Sequence, residues 1–241
     1  MHLRCRPAAA ADAADACEVK LEYQDDLSIT MPCRVQHLGE HHLLFGKTEP
    51  YETDIRLPMY IMGPGVPQGE IRYHPTNHLD ITATIVALAG AGDHVPTSHP
   101  LDGLSFADAL TDTPPTIEAW RAYSFSEFYV NDNTWWAIRH INTSGAADFT
   151  MHLWCSNETE VFRLADDPWQ LRNLAGSSAA TDSFGRLTEE EWLPIMVSMS
   201  KCVGTEECSS PSPAATWNRS WPLSCHDAGA IVQSNEYWLD P

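Results

Sequence analysis

Residues 37–56, HLGEHHLLFGKTEPYETDIR, and the run that follows at once, residues 57–69, LPMYIMGPGVPQG, decide how this chain is read. Residues 57–62 are short, apolar and closed by Gly63-Pro64-Gly65, the pattern of a buried strand that ends in a turn. Asp80 then stands where a helix N-cap belongs, with Ile81, Ile85, Leu88 and Ala89 at helical spacing and Gly90 as the stop. Strand, loop and helix in this order predict an α/β layer. The capping role accounts for Asp80 without any catalytic duty.

Beyond Thr113-Pro114-Pro115 the pattern changes. Residues 123–130, 134–141, 149–155 and 159–164 are aromatic and β-branched runs separated by polar turns. In the third, Phe149, Met151, Leu153 and Cys155 alternate with Thr150, His152 and Trp154, which predicts a sheet with one buried face. Asp167-Pro168 reads as the start of a helix through Ala175, and a second helix is expected from Thr188, with Glu191 completing a capping box, to about Lys201. The expected order is an unassigned segment 1–36, part of an α/β domain at 37–112, a small α+β domain with a four-stranded antiparallel sheet at 113–205, and an irregular tail 206–241.

The combination of HLGEH, Gly46-Lys47, Tyr51-Glu52 and Gly63-Pro-Gly-Val-Pro in one register resembles the sulfatases, the formylglycine-dependent sulfuric ester hydrolases. The similarity is best over residues 37–106 and continues through SEFYVNDNTWWAIR at 126–139 and NETEVFRLADDPWQLRNLA at 157–175. Within the family it is nearest the N-acetylglucosamine-6-sulfatase and algal arylsulfatase branch. The resemblance implies an alkaline-phosphatase-like α/β domain, of which only the C-terminal part is present, followed by the smaller antiparallel domain. It also implies hydrolysis of a sulfate ester on a glycan or an aryl alcohol, with a Ca2+ or Mg2+ ion and an aldehyde-hydrate nucleophile made from a Cys or Ser in a C/S-x-P-x-R motif.

Carried over residue by residue, the family pattern assigns Lys47 to a sulfate oxygen as a compact positive charge and sets His37 and His41 beside the sugar. Other positions depart from it. The Asp-Asn pair that binds metal in the family aligns on Cys33 and Arg34, poor ligands for a hard cation. Cys5-Arg6-Pro7 lacks the required Arg, since Ala9 stands there, and only 31 residues separate Cys5 from His37. Asp12, Asp15, Asp25 and Asp26 lie in a segment without matching context and read as a solvated acidic stretch. No metal ligand is therefore assigned, and the chain as written is expected to be inactive. A rival reading, His37-x-x-Glu40-His41 as an inverted zinc-peptidase signature, needs a helix, which Gly39 in its middle and Phe45-Gly46 after it disfavour. Glu52 and Arg56 are expected to brace the following strand.

The 33 acidic against 14 basic residues, a formal charge of −19, argue against nucleic acid or an anionic membrane surface as partner. Protonating all 11 His would still leave −8. No apolar run approaches the length of a membrane span, and the Ala-rich start is broken by Asp12 and Asp15, so no signal peptide is read. The sequons at Asn142, Asn157 and Asn218 nevertheless suit export, as do the cysteines: Cys202 and Cys208 are expected to pair, and Cys155 and Cys225 leave the C-terminal half with an even count. The resemblance implies a secreted or lysosomal protein. A different class of function stays open: a non-catalytic secreted protein with a sulfatase-like shell that binds glycans through Trp135, Trp136, Trp154 or Trp217.

Overall fold

A computed structural model describes residues 16–21, 27–32, 39–43, 46, 48–129, 134–141, 147–156, 158–175 and 192–212. They belong to two compact units, one within Met1–Arg72 and Asp108–Pro114, the other within Tyr73–Ala107 and Pro115–Pro241.

The first unit carries an antiparallel sheet in the order β1 (Ala16–Leu21), β2 (Leu27–Pro32) and β3 (Tyr60–Met62), with Ile29 opposite Ile61. The strand expected over residues 57–62 is thus shorter and less buried than its sequence suggests. It pairs over three residues only and forms the sheet edge, with Tyr60 65% and Met62 62% exposed, so the apolar run meets no second layer among the described residues. One helical turn, α1 (Glu52–Ile55), precedes it, closed by the i,i+4 pair of the largely covered Glu52 and the exposed Arg56 at 3.8 Å. Arg72 binds residues 108–114 into this unit, donating to the carbonyls of Ala109 (2.9 Å) and Thr111 (3.1 Å).

In the second unit the helix expected from Asp80 begins earlier, as α2 (His78–Leu88). Its N-cap is Asn77, and Asp80 sits one turn in, where its carboxylate accepts the Asn77 N–H in a capping box. Asp80 has more to do than cap. Fully buried, it also accepts the Leu104 N–H at 2.8 Å and pairs with the buried guanidinium of Arg121. Because that partner lies 41 residues away, local pattern reads only the cap. Gly103 lies so close to α2 that a β-carbon there would meet the Leu79 carbonyl oxygen at 2.2 Å, so a side chain has no room.

The four-stranded sheet forms as expected: β4 (Tyr123–Phe128), β5 (Trp135–Ile141), β6 (Ala147–Trp154) and β7 (Thr159–Phe162), sequential and antiparallel. One face contributes Trp136, Ile138, Phe149, Met151, Leu153 and Val161 to a core completed by α3 (Leu193–Met199), with Trp192 stacked flat on Phe149. The other face is not the solvated one that the alternation suggests. Thr150 and His152 are fully buried there as well, with Gln170 from the chain after β7 reaching His152 and the Thr150 hydroxyl bonded to the Ile138 carbonyl.

That segment is not the helix expected from Asp167-Pro168. The Asp167 carboxylate accepts the N–H groups of Leu171 and Arg172, Gln170 turns left-handed at φ 54°, and the Asn173 side chain accepts the Val161 N–H, so the backbone runs along β7 instead of coiling. The final helix is present from Leu193 to Met199; its expected start at Thr188 and Glu191 lies outside the described residues. Cys202 and Cys208 form the expected disulfide around Gly204 and α4 (Thr205–Ser209), and Cys155 is also disulfide-bonded. The disulfide loop is tied down by Asp102, which accepts the Gly204 N–H, and by the Thr205 hydroxyl, which meets the carbonyls of Leu101 and Gly103. Among the described residues no helix is long and apolar enough to cross a membrane.

Candidate functional site and family membership

The loop bearing the candidate residues is described from Gly39 to Leu43, at Gly46 and from Thr48 onward. His37 and Lys47 lie outside the described residues, as do Cys5, Cys33 and Arg34. His41 is placed. Gly39 at φ 109° turns the chain into a short 3-10 turn, Glu40–His42, in which both His41 (φ 52°) and His42 (φ 59°) are left-handed. Two successive non-glycine residues in that region cost backbone energy, and such strain concentrates where a side chain must be aimed. The turn is closed by Leu43 N–H to Glu40 O at 2.9 Å.

The half-buried His41 ring lies parallel to Tyr51, centroids 4.1 Å apart and planes within 7°. Stacking fixes the plane of the imidazole and leaves its nitrogens at the ring edge, free in orientation to meet a polar ligand. Tyr51 is itself held as the residue before α1, its carbonyl accepting the N–H groups of Asp54 and Ile55 at 2.8 and 3.0 Å. Asp54, 1% exposed, accepts the Glu49 N–H at 2.9 Å and so braces the chain just after Lys47. Tyr51, stacked beneath His41, is the candidate-site residue that sequence reasoning missed. Its only signal was its place in the Tyr-Glu pair of the aligned block.

The 3-10 turn also bears on the peptidase reading. Residues 39–43 do not form the helix that would set two histidines on one face. Among the described residues no three His, Cys, Asp or Glu side chains converge to hold a metal ion. The described part of the loop thus offers no donor set for a divalent cation.

The tryptophans proposed as sugar platforms divide by burial. Trp135 and Trp136 are 4% and 5% exposed and belong to the interior, where no sugar ring reaches them, whereas Trp154 is half-buried with its indole N–H on Glu160. Trp217 lies outside the described residues.

Comparison with known proteins covers both units. Residues 39–192, more than half of the chain, match the family model described as N-sulphoglucosamine sulphohydrolase, C-terminal. Among curated relatives, a sulfatase, ppz1, of Metarhizium majus is 32% identical over 61% of this chain and 30% of its own length. An arylsulfatase of Volvox carteri is 28% identical over 76% of this chain and 32% of its own. The N-acetylglucosamine-6-sulfatase of Capra hircus is 26% identical over 58% of this chain and 30% of its own. The chain spans about a third of the length of these relatives. The matched register runs from the His41 loop through the four-stranded sheet to the start of α3, and the chain belongs to the sulfatase family, as a C-terminal portion of its fold.

Proposed function

We propose that this chain supplies the substrate-side margin of a sulfate-ester hydrolase. Lys47 extends its ammonium to a sulfate oxygen, where a compact point charge offsets the anion, while His37 and His41 border the sugar or aryl group that carries the ester. The observation that carries this reading is the strained, Tyr51-stacked turn of His41, which lies inside the stretch matched by the family model. The substrate class is a sulfated glycan, such as one bearing N-acetylglucosamine 6-sulfate, or an aryl sulfate, in keeping with the names of the relatives. In domain terms, residues 37–112 close the α/β domain and residues 113–205 form the smaller one. The sequons and the disulfide favour a secreted or lysosomal setting.

Hydrolysis also calls for a nucleophile and a hard-cation ligand set, such as Ca2+ or Mg2+ would need, and these 241 residues carry neither C/S-x-P-x-R nor the Asp-Asn pair before His37. The chain alone is therefore expected not to turn over 4-nitrophenyl sulfate or N-acetylglucosamine 6-sulfate. Binding of N-acetylglucosamine 6-sulfate, followed by ligand-observed NMR, should exceed that of unsulfated N-acetylglucosamine and fall in Lys47→Ala and His41→Ala. If both variants bind the sulfated sugar as the parent does, the assignment of this loop is wrong. Turnover by the chain alone would place the nucleophile within it.

A further inference from the structure

The end of the four-stranded sheet where β5 begins and β6 finishes is closed off from solvent. Thr134, Trp135, Trp136, Leu153 and Cys155 are each 9% exposed or less, and Phe128 on β4 stacks on Trp135 with ring centroids 5.7 Å apart. Backbone pairing continues one step past the strands, the Cys155 N–H donating to the Thr134 carbonyl at 2.9 Å. Strand ends ordinarily run out to the surface, so burial of this kind calls for a chain segment laid over them.

Cys155 is disulfide-bonded. The chain has 7 cysteines, of which Cys202 and Cys208 bond each other, leaving Cys5, Cys17, Cys33 and Cys225 as candidate partners. A disulfide holds its two Cα atoms within about 4.4–6.8 Å, so the partner packs in the same neighbourhood as Cys155. Cys17 belongs to β1, opposite Met31, and with Cys5 and Cys33 it falls in the Met1–Arg72 stretch of the first unit. Cys225 falls in Pro115–Pro241, the stretch of the second unit that holds Cys155. The chain length between them permits the bond. Ser212, the last described residue, donates its N–H to the Ser198 hydroxyl on α3 at 3.0 Å, and α3 packs on the sheet. The roughly 13 residues from there to Cys225 reach about 43 Å when extended. That is well beyond β6, whose 8 residues span about 26 Å. They include Trp217, Trp221, Pro222 and Leu223, apolar side chains suited to an aromatic strand end.

We propose that Cys225 is the disulfide partner of Cys155 and that the tail so held, residues 213–241, is the segment that covers the Trp135–Cys155 end of the sheet. Two thiols lose two protons and two electrons in forming the bond, and a disulfide donor of an oxidising compartment takes them up, itself reduced to two thiols. The bond closes a loop of about 70 residues, against a separation of 6 for Cys202 and Cys208, and so removes more freedom from the unfolded chain. The tail is thereby a redox-sensitive strap, fastened where disulfides persist and released where thiols are kept reduced.

The test is disulfide mapping of the full 241-residue chain, made in an oxidising compartment, deglycosylated and cut with trypsin without reduction. Peptide 140–163, which contains Cys155, should be joined to peptide 220–241, which contains Cys225, and should part from it on reduction. A bond from 140–163 to peptide 5–20 or 21–34, or a free thiol at Cys155, overturns the proposal. The covering role is read from hydrogen exchange in Cys225→Ser. Relative to the Leu174 amide, which donates to Val161 on β7, the Cys155 amide should exchange about tenfold faster than in the parent. An unchanged ratio contradicts the strap, and the peptide map decides the pairing whether or not the variant folds.

Discussion

The two sheets of this chain are both antiparallel, yet they are finished differently. In the second unit, β5 and β6 are flanked by strands on both sides and buried on both faces, with α3 packed on one and Gln170 reaching His152 on the other. In the first, β3 is an edge of three residues whose Tyr60 and Met62 face solvent. The same kind of apolar run gives a core strand where a second layer covers it and an exposed edge where the described residues supply none. Burial is set by what the rest of the fold brings to the strand, and the strand's own residues only permit it.

The contrast should appear first as the largest loss of stability. Asp80→Ala strands the buried guanidinium of Arg121 and removes the acceptor of two backbone N–H groups, so it should cost about 3–5 kcal/mol in urea unfolding. At the open edge, Tyr60→Ser should stay within about 0.5 kcal/mol. A costly Tyr60→Ser together with a harmless Asp80→Ala would break the comparison.

Next in size is the disulfide. Replacing Cys202 and Cys208 by serine opens a loop of sequence separation 6 and should cost about 2 kcal/mol by lost chain constraint. The loss should appear as a lower melting temperature of the second unit. An unchanged melting temperature would show that the bonds from Asp102, Leu101 and Gly103 suffice to hold the loop.

The smallest expected effect has a pH signature. Although Glu127 keeps an exposed edge, desolvation of its carboxyl raises its pKa, with the hydrogen bond from the Tyr129 hydroxyl pulling the other way. Because the folded pKa lies above the ordinary carboxylate value, this group favours the folded state in acid and costs stability as pH rises past that value. Glu127→Gln should therefore be slightly stabilised relative to the parent at pH 7 and lose that advantage below the carboxylate range. An advantage that instead grows in acid would reverse the sign assigned to Glu127.

How much of this was legible beforehand follows the range of the forces involved. The four strands could be read because alternation is local, and the disulfide because Cys202 and Cys208 are neighbours in sequence. The failures are contacts with distant or side-chain-specific causes. Asp80 looked like a cap because Arg121 is 41 residues away. Asp167-Pro168 looked like a helix start because nothing local shows Asn173 taking the Val161 N–H, or Gln170 turning in toward His152. At the candidate site, the motif gave the loop and its residue types, while the left-handed backbone at His41 and its stack on Tyr51 required the fold.

Native-state hydrogen exchange of the whole chain, read residue by residue, tests the difference between the two sheets most directly. Amides at 136–138 and 151–153 should exchange slowest, near the limit set by global unfolding of their unit, and those at 60–62 should exchange at least about tenfold faster. Equal protection of the two sets would contradict the account, since residues 60–62 would then be as well enclosed as the strands that carry the core.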